Sequence, residues 1–173
     1  RGVTLTPVSD PHPHPDACLL LHLASPDSAG ACGRVDNLSC EDAHTNGSLR
    51  PASYYAYLLV GHAASAPGIS GLACGLNYDG AEGRGVDILS WTSCATADLP
   101  TAGWPAAGGG NVIQWQTVSG CQRHEPRGAN TGVVAVAGYF YLSAYSADEL
   151  RLTTHPASGV ATVTDCSYTD ETI

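Results

Sequence analysis

Short runs of alternating or uniformly apolar residues, each cut off by glycine or proline, occupy most of this chain, and almost none of it keeps the period of a helix. Cys18–Leu23 is such a run, stopped by Ala24-Ser25-Pro26-Asp27. Tyr54–Val60 is aromatic and branched, and Ile69–Tyr78 alternates after a Pro67-Gly68 turn, so the two read as consecutive antiparallel strands. Val86–Trp91, Val112–Gln116, Val133–Tyr145, Glu149–Thr153 and Val160–Val163 continue the series. Eight or so short strands at fairly regular spacing predict an all-β chain, an antiparallel β-sandwich of two packed sheets.

The 173 residues are enough for one domain with a substantial core, preceded by an arm. Residues 1–16 are expected to form an extended N-terminal arm and spacer, and residues 17–173 the sandwich domain. Within the arm Gly2–Val8 alternates, with Val3 and Leu5 on one face, and together with Val8 these are the candidate interaction residues for pairing with a sheet edge. Asp10-Pro11-His12-Pro13-His14-Pro15-Asp16 follows, where each proline fixes φ and restricts the residue before it, predicting a polyproline-type spacer.

Seven cysteines with no CxxC pair point to disulfides rather than a zinc or redox site, and hence to a secreted, extracellular protein. The chain starts at Arg1 and has no Met, which fits removal of an upstream segment. The expected local pairs are Cys32 with Cys40, which would close the polar loop between residues 30 and 51, and Cys94 with Cys121; Cys18, Cys74 and Cys166 stay unassigned. One helical turn is expected near Cys40-Glu41-Asp42. An odd number of cysteines leaves at least one thiol unpaired, bonded to another chain, or without its former partner. All seven basic residues are Arg, and the formal charge of −9 argues against nucleic acid or anionic membranes as partners. No run is long and apolar enough to span a membrane as a helix. The lack of Lys also removes the residue most used to blunt sheet edges.

For chemistry, His12 and His14 are candidate ligands for copper or zinc with Asp10 or Asp16, although two imidazoles on an extended arm make an incomplete site. Asn77, Asp79, Glu82 and Asp87 gather oxygen donors that calcium would accept; the competing reading is a turn in which these side chains cap backbone amides and glycines supply positive φ. The preferred expectation is no cofactor. Trp91, Trp104 and Trp115 with the tyrosines are either core or a sugar-stacking platform. Tyr54-Tyr55-Ala56-Tyr57 and Tyr139-Phe140-Tyr141 put rings on both faces of their strands, which predicts a covered or sticky second face. Asn37-Leu38-Ser39 and Asn46-Gly47-Ser48 match the glycosylation sequon. No Gly-x-Ser-x-Gly elbow or His-Glu-x-x-His motif is present, and the chain reads as non-enzymatic.

From Tyr54 onward, the order of a strand, Gly68-Ile69-Ser70-Gly71-Leu72, Leu76-Asn77-Tyr78-Asp79 and Gly138-Tyr139-Phe140 resembles the cohesin-like (Ig-like) β-sandwich over about two thirds of the chain. Asn77-Tyr78-Asp79-Gly80, Gly85-Val86-Asp87-Ile88, Trp91-Thr92-Ser93-Cys94 and Gly103-Trp104-Pro105 are also similar to uncharacterised secreted bacterial modules, which imply no activity. A cohesin resemblance implies a protein-docking face without catalytic residues. The leading expectation is a structural subunit that forms a homo-oligomer or filament, donating its N-terminal strand to a neighbouring sandwich. Alternatives are a module for a glycan or protein ligand and a secreted metal-binding protein using the His arm.

Overall fold

Ser53–Ala63 carries apolar residues at both parities, Ala56, Leu58 and Val60 on one side and Tyr57 and Leu59 on the other, and all five are fully buried. A strand can bury both faces only in the middle of a layered structure. The computed structural model of the protein, which describes residues 14–26, 29–49, 53–126 and 132–173, shows those layers. Its strands are β1 (Cys18–Ala24), β2 (Ser53–Ala63), β3 (Ile69–Asn77), β4 (Val86–Ser93), β5 (Ala97–Pro100), β6 (Gly110–Gln114), β7 (Val133–Ala144), β8 (Arg151–Thr153), β9 (Thr162–Asp165) and β10 (Asp170–Thr172). Two short 3-10 turns, Cys32–Val35 and Cys40–Asp42, lie between β1 and β2, the second where a helical turn was expected.

The first sheet has the order β1-β2-β7-β4, and the second runs β10-β9-β3-β6-β5 with β8 also on β3. All the strand pairs are antiparallel. β8 and β9 share the edge of β3 opposite β6: β9 pairs with Ile69–Ala73 and β8 with Gly75–Asn77. The antiparallel sandwich is therefore present. One detail differs from expectation, since β2 and β3 do not form a hairpin. The chain between them crosses from one sheet to the other, and β2 pairs instead with β1 and the distant β7.

Between the sheets lie Leu58, Val60, Leu72, Leu76, Ile113, Trp115, Phe140, Leu142 and Val163, all at most 6% exposed. Trp91 and Trp104 pack on Phe140 at ring-centroid distances of 4.6 and 5.6 Å, so these three tryptophans belong to the core and its rim rather than to a sugar platform.

A bulge sets the phase of β7. Leu58 pairs with Gly138 and Leu59 with Val136, which leaves Ala137 as the extra residue. Before the bulge Val133, Ala135 and Ala137 face the core, and after it Phe140 and Leu142 do. Gly138 is required there, because a Cβ would lie 2.6 Å from Trp91 Cζ2.

Candidate functional site

The outer face of the first sheet is covered. Tyr57, Leu59 and Val136 pack with Val35, Leu38 and Leu20 in a second apolar cluster, so residues 29–49 form a flap over the sheet. The Tyr57 hydroxyl donates to Ala31 O at 3.2 Å and the Tyr139 hydroxyl to Gly30 O at 3.1 Å, satisfying polar tips that would otherwise be stranded under the flap. The tyrosine rings form a row across the face, with Tyr141 and Tyr55 centroids 5.2 Å apart, Tyr55 and Tyr139 5.6 Å, and Tyr139 and Tyr57 5.3 Å. Tyr55, Tyr139 and Tyr141 are half-buried.

The disulfides correct the expected pairing. Cys32 bonds Cys94, not Cys40, and Cys121 bonds Cys166, not Cys94. Cys94 follows β4 and its amide donates to Ala137 O, which places it beside the flap; the bond ties the flap across the sheet instead of closing a loop on itself. Cys121 and Cys166 flank the start of β3, since Gln122 bridges Ile69 and the Cys166 amide donates to Gly68 O. Cys18, Cys40 and Cys74 are thiols, with Cys74 fully buried on β3. Burial pushes its pKa up to about 12.

Among the described residues the side of the sandwich between β1 and β8 is open. A groove of about 740 Å³ runs there, walled by Leu19, Leu21 and Leu23 of β1 and by Leu150 and Leu152 beside and on β8, with Tyr54 and Leu142 at its floor. The three β1 leucines are only half-buried although they point at the core. Leu23 N–H donates away from β2, to His44 O at 2.7 Å. Because backbone groups alternate along a strand, those of Leu19 and Leu21 project the same way, off the sheet and along the groove. Among the described residues β8 pairs with β3 alone.

The groove rim is acidic. Asp148 accepts the amides of Asp79 (3.1 Å), Val86 (3.1 Å) and Glu149 (2.7 Å), and Glu149 pairs with Arg151. The guanidinium of Arg151 holds the Glu149 carboxyl below its ordinary range. Asp79 accepts from Ala81 N–H and Arg84 Nε, Asp87 accepts from Gly83 N–H, and Gly83 and Gly85 have φ of 72° and 65°. The acidic segment is thus a capped turn, with its carboxylates directed at backbone amides.

Val3, Leu5, Val8 and His12 lie outside the described residues. His14 is buried at 2% exposure, its backbone N–H donating to Glu171 Oε2 at 2.7 Å and its ring Nδ1 accepting from Ala64 N–H at 2.9 Å. With Nδ1 accepting, the ring proton sits on Nε2, so neither nitrogen offers a metal a free lone pair, and His14 serves as the anchor where the arm joins the domain. No group of three or more His, Cys, Asp and Glu side chains among the described residues is arranged to hold a metal. No helix is long and apolar enough to cross a membrane among them. The groove itself was not readable from sequence, because it forms from leucines of β1 and β8 that no local pattern brings together.

No protein-family model and no curated protein matches the chain. Among solved structures it is similar to the sixth cohesin from Acetivibrio cellulolyticus scaffoldin B, in complex with a Cel5 dockerin mutant, at TM-score 0.47 and 15% identity over 69% of this chain and 80% of that one. The chain resembles a cohesin-type sandwich, in line with the order of its motifs, and no residue's role follows from the likeness.

Proposed function

We propose that this chain is a non-enzymatic extracellular structural subunit whose groove between β1 and β8 takes up the N-terminal strand of a second copy. The observation that supports this most directly is the half-buried row Leu19, Leu21 and Leu23 on β1, whose outer edge pairs with no strand among the described residues. The segment Gly2–Val8 has seven residues, as β1 does, and would span about 23 Å when extended. Its Val3 and Leu5 share one face and would enter the groove, each contributing about 1.5–3 kcal/mol when fully buried.

The registers favour donation to a neighbour. Tyr54 lies at the start of β2 beside Ser53, Val86 begins β4 and Ala144 ends β7, so this end of the groove lies at the pole opposite Ala64, where His14 tethers the arm. An arm leaving one pole and entering a groove that opens toward the other makes a head-to-tail contact, which extends into a filament wherever the rotation between copies does not close a ring. Two internal disulfides fit an oxidising extracellular setting.

The test compares the full chain with a variant lacking residues 1–13 by light scattering and electron microscopy. The expected result is concentration-dependent filaments of the full chain, a monomeric truncated form, and saturable binding of a Gly2–Val8 peptide to that form, abolished by Leu21→Asp. A full chain that stays monomeric at high concentration, or a truncated form indifferent to the peptide, overturns the reading. The half-buried tyrosine row favours a second reading, a face for a glycan or protein ligand. That reading expects a monomer whose binding is lost on Tyr55→Ala and Tyr141→Ala.

A further inference from the structure

The two thiols outside the core, Cys18 and Cys40, meet at one point on the outer face of the first sheet. Cys18 is the cross-strand partner of Gly61, and partners in an antiparallel pair carry their side chains on the same face. That face is the outer one, shared with Leu20, Tyr57 and Leu59. Cys40 opens the second 3-10 turn of the flap. A Cβ on Gly61 would overlap Cys40 Sγ and lie 3.7 Å from Cys18 Sγ, so the two sulfurs share the space that the missing side chain leaves. Burial raises both thiols, and backbone hydrogen bonding at Gly61 and His62 offsets part of that rise at Cys18 and Cys40 respectively.

We infer that Cys18 and Cys40 form a third disulfide of the mature protein, tying the start of β1 to the flap. It forms by exchange with a disulfide oxidant. The Cys40 thiolate attacks one sulfur of the oxidant, giving a mixed disulfide and releasing one thiol. The Cys18 thiolate then attacks Cys40 Sγ and releases the second. The two protons lost by Cys18 and Cys40 end on the two thiols of the reduced oxidant.

The odd cysteine count then resolves. Three pairs account for six cysteines, and the seventh, Cys74, is 0% exposed in the core and unavailable to another chain. The flap is fastened at both margins, by Cys32 to the strand after which Cys94 lies and by Cys40 to β1. The bond also fixes β1 four residues beyond the His14 anchor. It stands independently of strand donation, since it lies within one chain.

The full chain is equilibrated with a glutathione disulfide/glutathione mixture, unfolded in denaturant, alkylated, and cleaved after Asp and Glu. This cleavage separates Cys18 (residues 17–27), Cys40 (37–41) and Cys74 (43–79). The expected result is a linked 17–27/37–41 pair and alkylation of Cys74 only. Alkylation of Cys18 and Cys40 in the oxidised protein, or a link from either to a different cysteine, overturns the inference. A second readout uses native labelling. The oxidised parent takes up no label at residue 40, whereas Cys18→Ser exposes Cys40 to full labelling; an equal yield at residue 40 in both overturns the inference as well.

Discussion

Removing the Cys32–Cys94 bond is the sharpest probe of the flap. The bond spans a sequence separation of 62 residues, so in the chain-entropy treatment it removes about 4 kcal/mol of freedom from the unfolded state. Cys121–Cys166 spans 45 residues, which gives nearly the same entropic gain because the dependence is logarithmic. The pairs differ in what they hold in the folded state. Cys32–Cys94 keeps the flap on Tyr57, Leu59 and Val136, whereas Cys121–Cys166 joins loops beside β3. In urea unfolding with linear extrapolation, Cys32→Ala/Cys94→Ala is expected to lose about 4 kcal/mol and to bind a hydrophobic dye more strongly than the parent. Cys121→Ala/Cys166→Ala is expected to lose a similar amount without the added dye binding. If the flap variant stays within about 1 kcal/mol of the parent, a margin below any figure the loop length allows, the bond does not hold the flap and the argument fails.

Gly138→Ala drives a methyl into the Trp91 ring at the bulge and is expected to cost about 1–3 kcal/mol, read as a lowered midpoint in the same urea experiment. His22 is 7% exposed and its Nδ1 accepts from His44 N–H; burial first, then the charges of His44 and Arg34, lower its pKa from 6.5. The unfolded chain therefore binds more protons than the folded one as pH falls below 6.5, and stability drops with it. Stability measured from pH 8 downward is expected to fall less steeply in His22→Asn than in the parent, and identical slopes would show that His22 carries no such linkage. Cys74 is expected to resist a maleimide reagent in the native protein at pH 8 and to react once urea unfolds it, followed by mass spectrometry; prompt native labelling would place it outside the core.

Sequence pattern located most of the strands and left their partnership hidden. The run at Cys18–Leu23 became β1 (Cys18–Ala24), and Tyr54–Val60 and Ile69–Tyr78 became β2 and β3. That β2 pairs with β7 rather than β3 depends on contacts some eighty residues apart, which no local signal encodes. β5 and β10 passed unnoticed because Ala97-Asp98-Leu99-Pro100 and Asp170-Glu171-Thr172 are short edge segments without an apolar alternation. Rings at Tyr55, Tyr57, Tyr139 and Tyr141 pointed to a second face either covered or sticky, and the flap covers part of it. The polar, cysteine-bracketed loop was visible too, but its target was not: a near neighbour in sequence, Cys40, competed with a distant one, Cys94, and spacing favours the near one.

Only three residues separate the end of β4 in one sheet from the start of β5 in the other. The two sheets are thus bound along that side like the covers of a book, with the chain itself as the spine. The opposite side, between β1 and β8, is joined by a longer link, the six residues between β7 and β8. Breathing of the two layers is therefore expected to widen the β1 side more than the β4–β5 corner. In hydrogen exchange, the amides of Leu19 and Leu21 on the edge strand are expected to exchange ahead of those in the interior of β7.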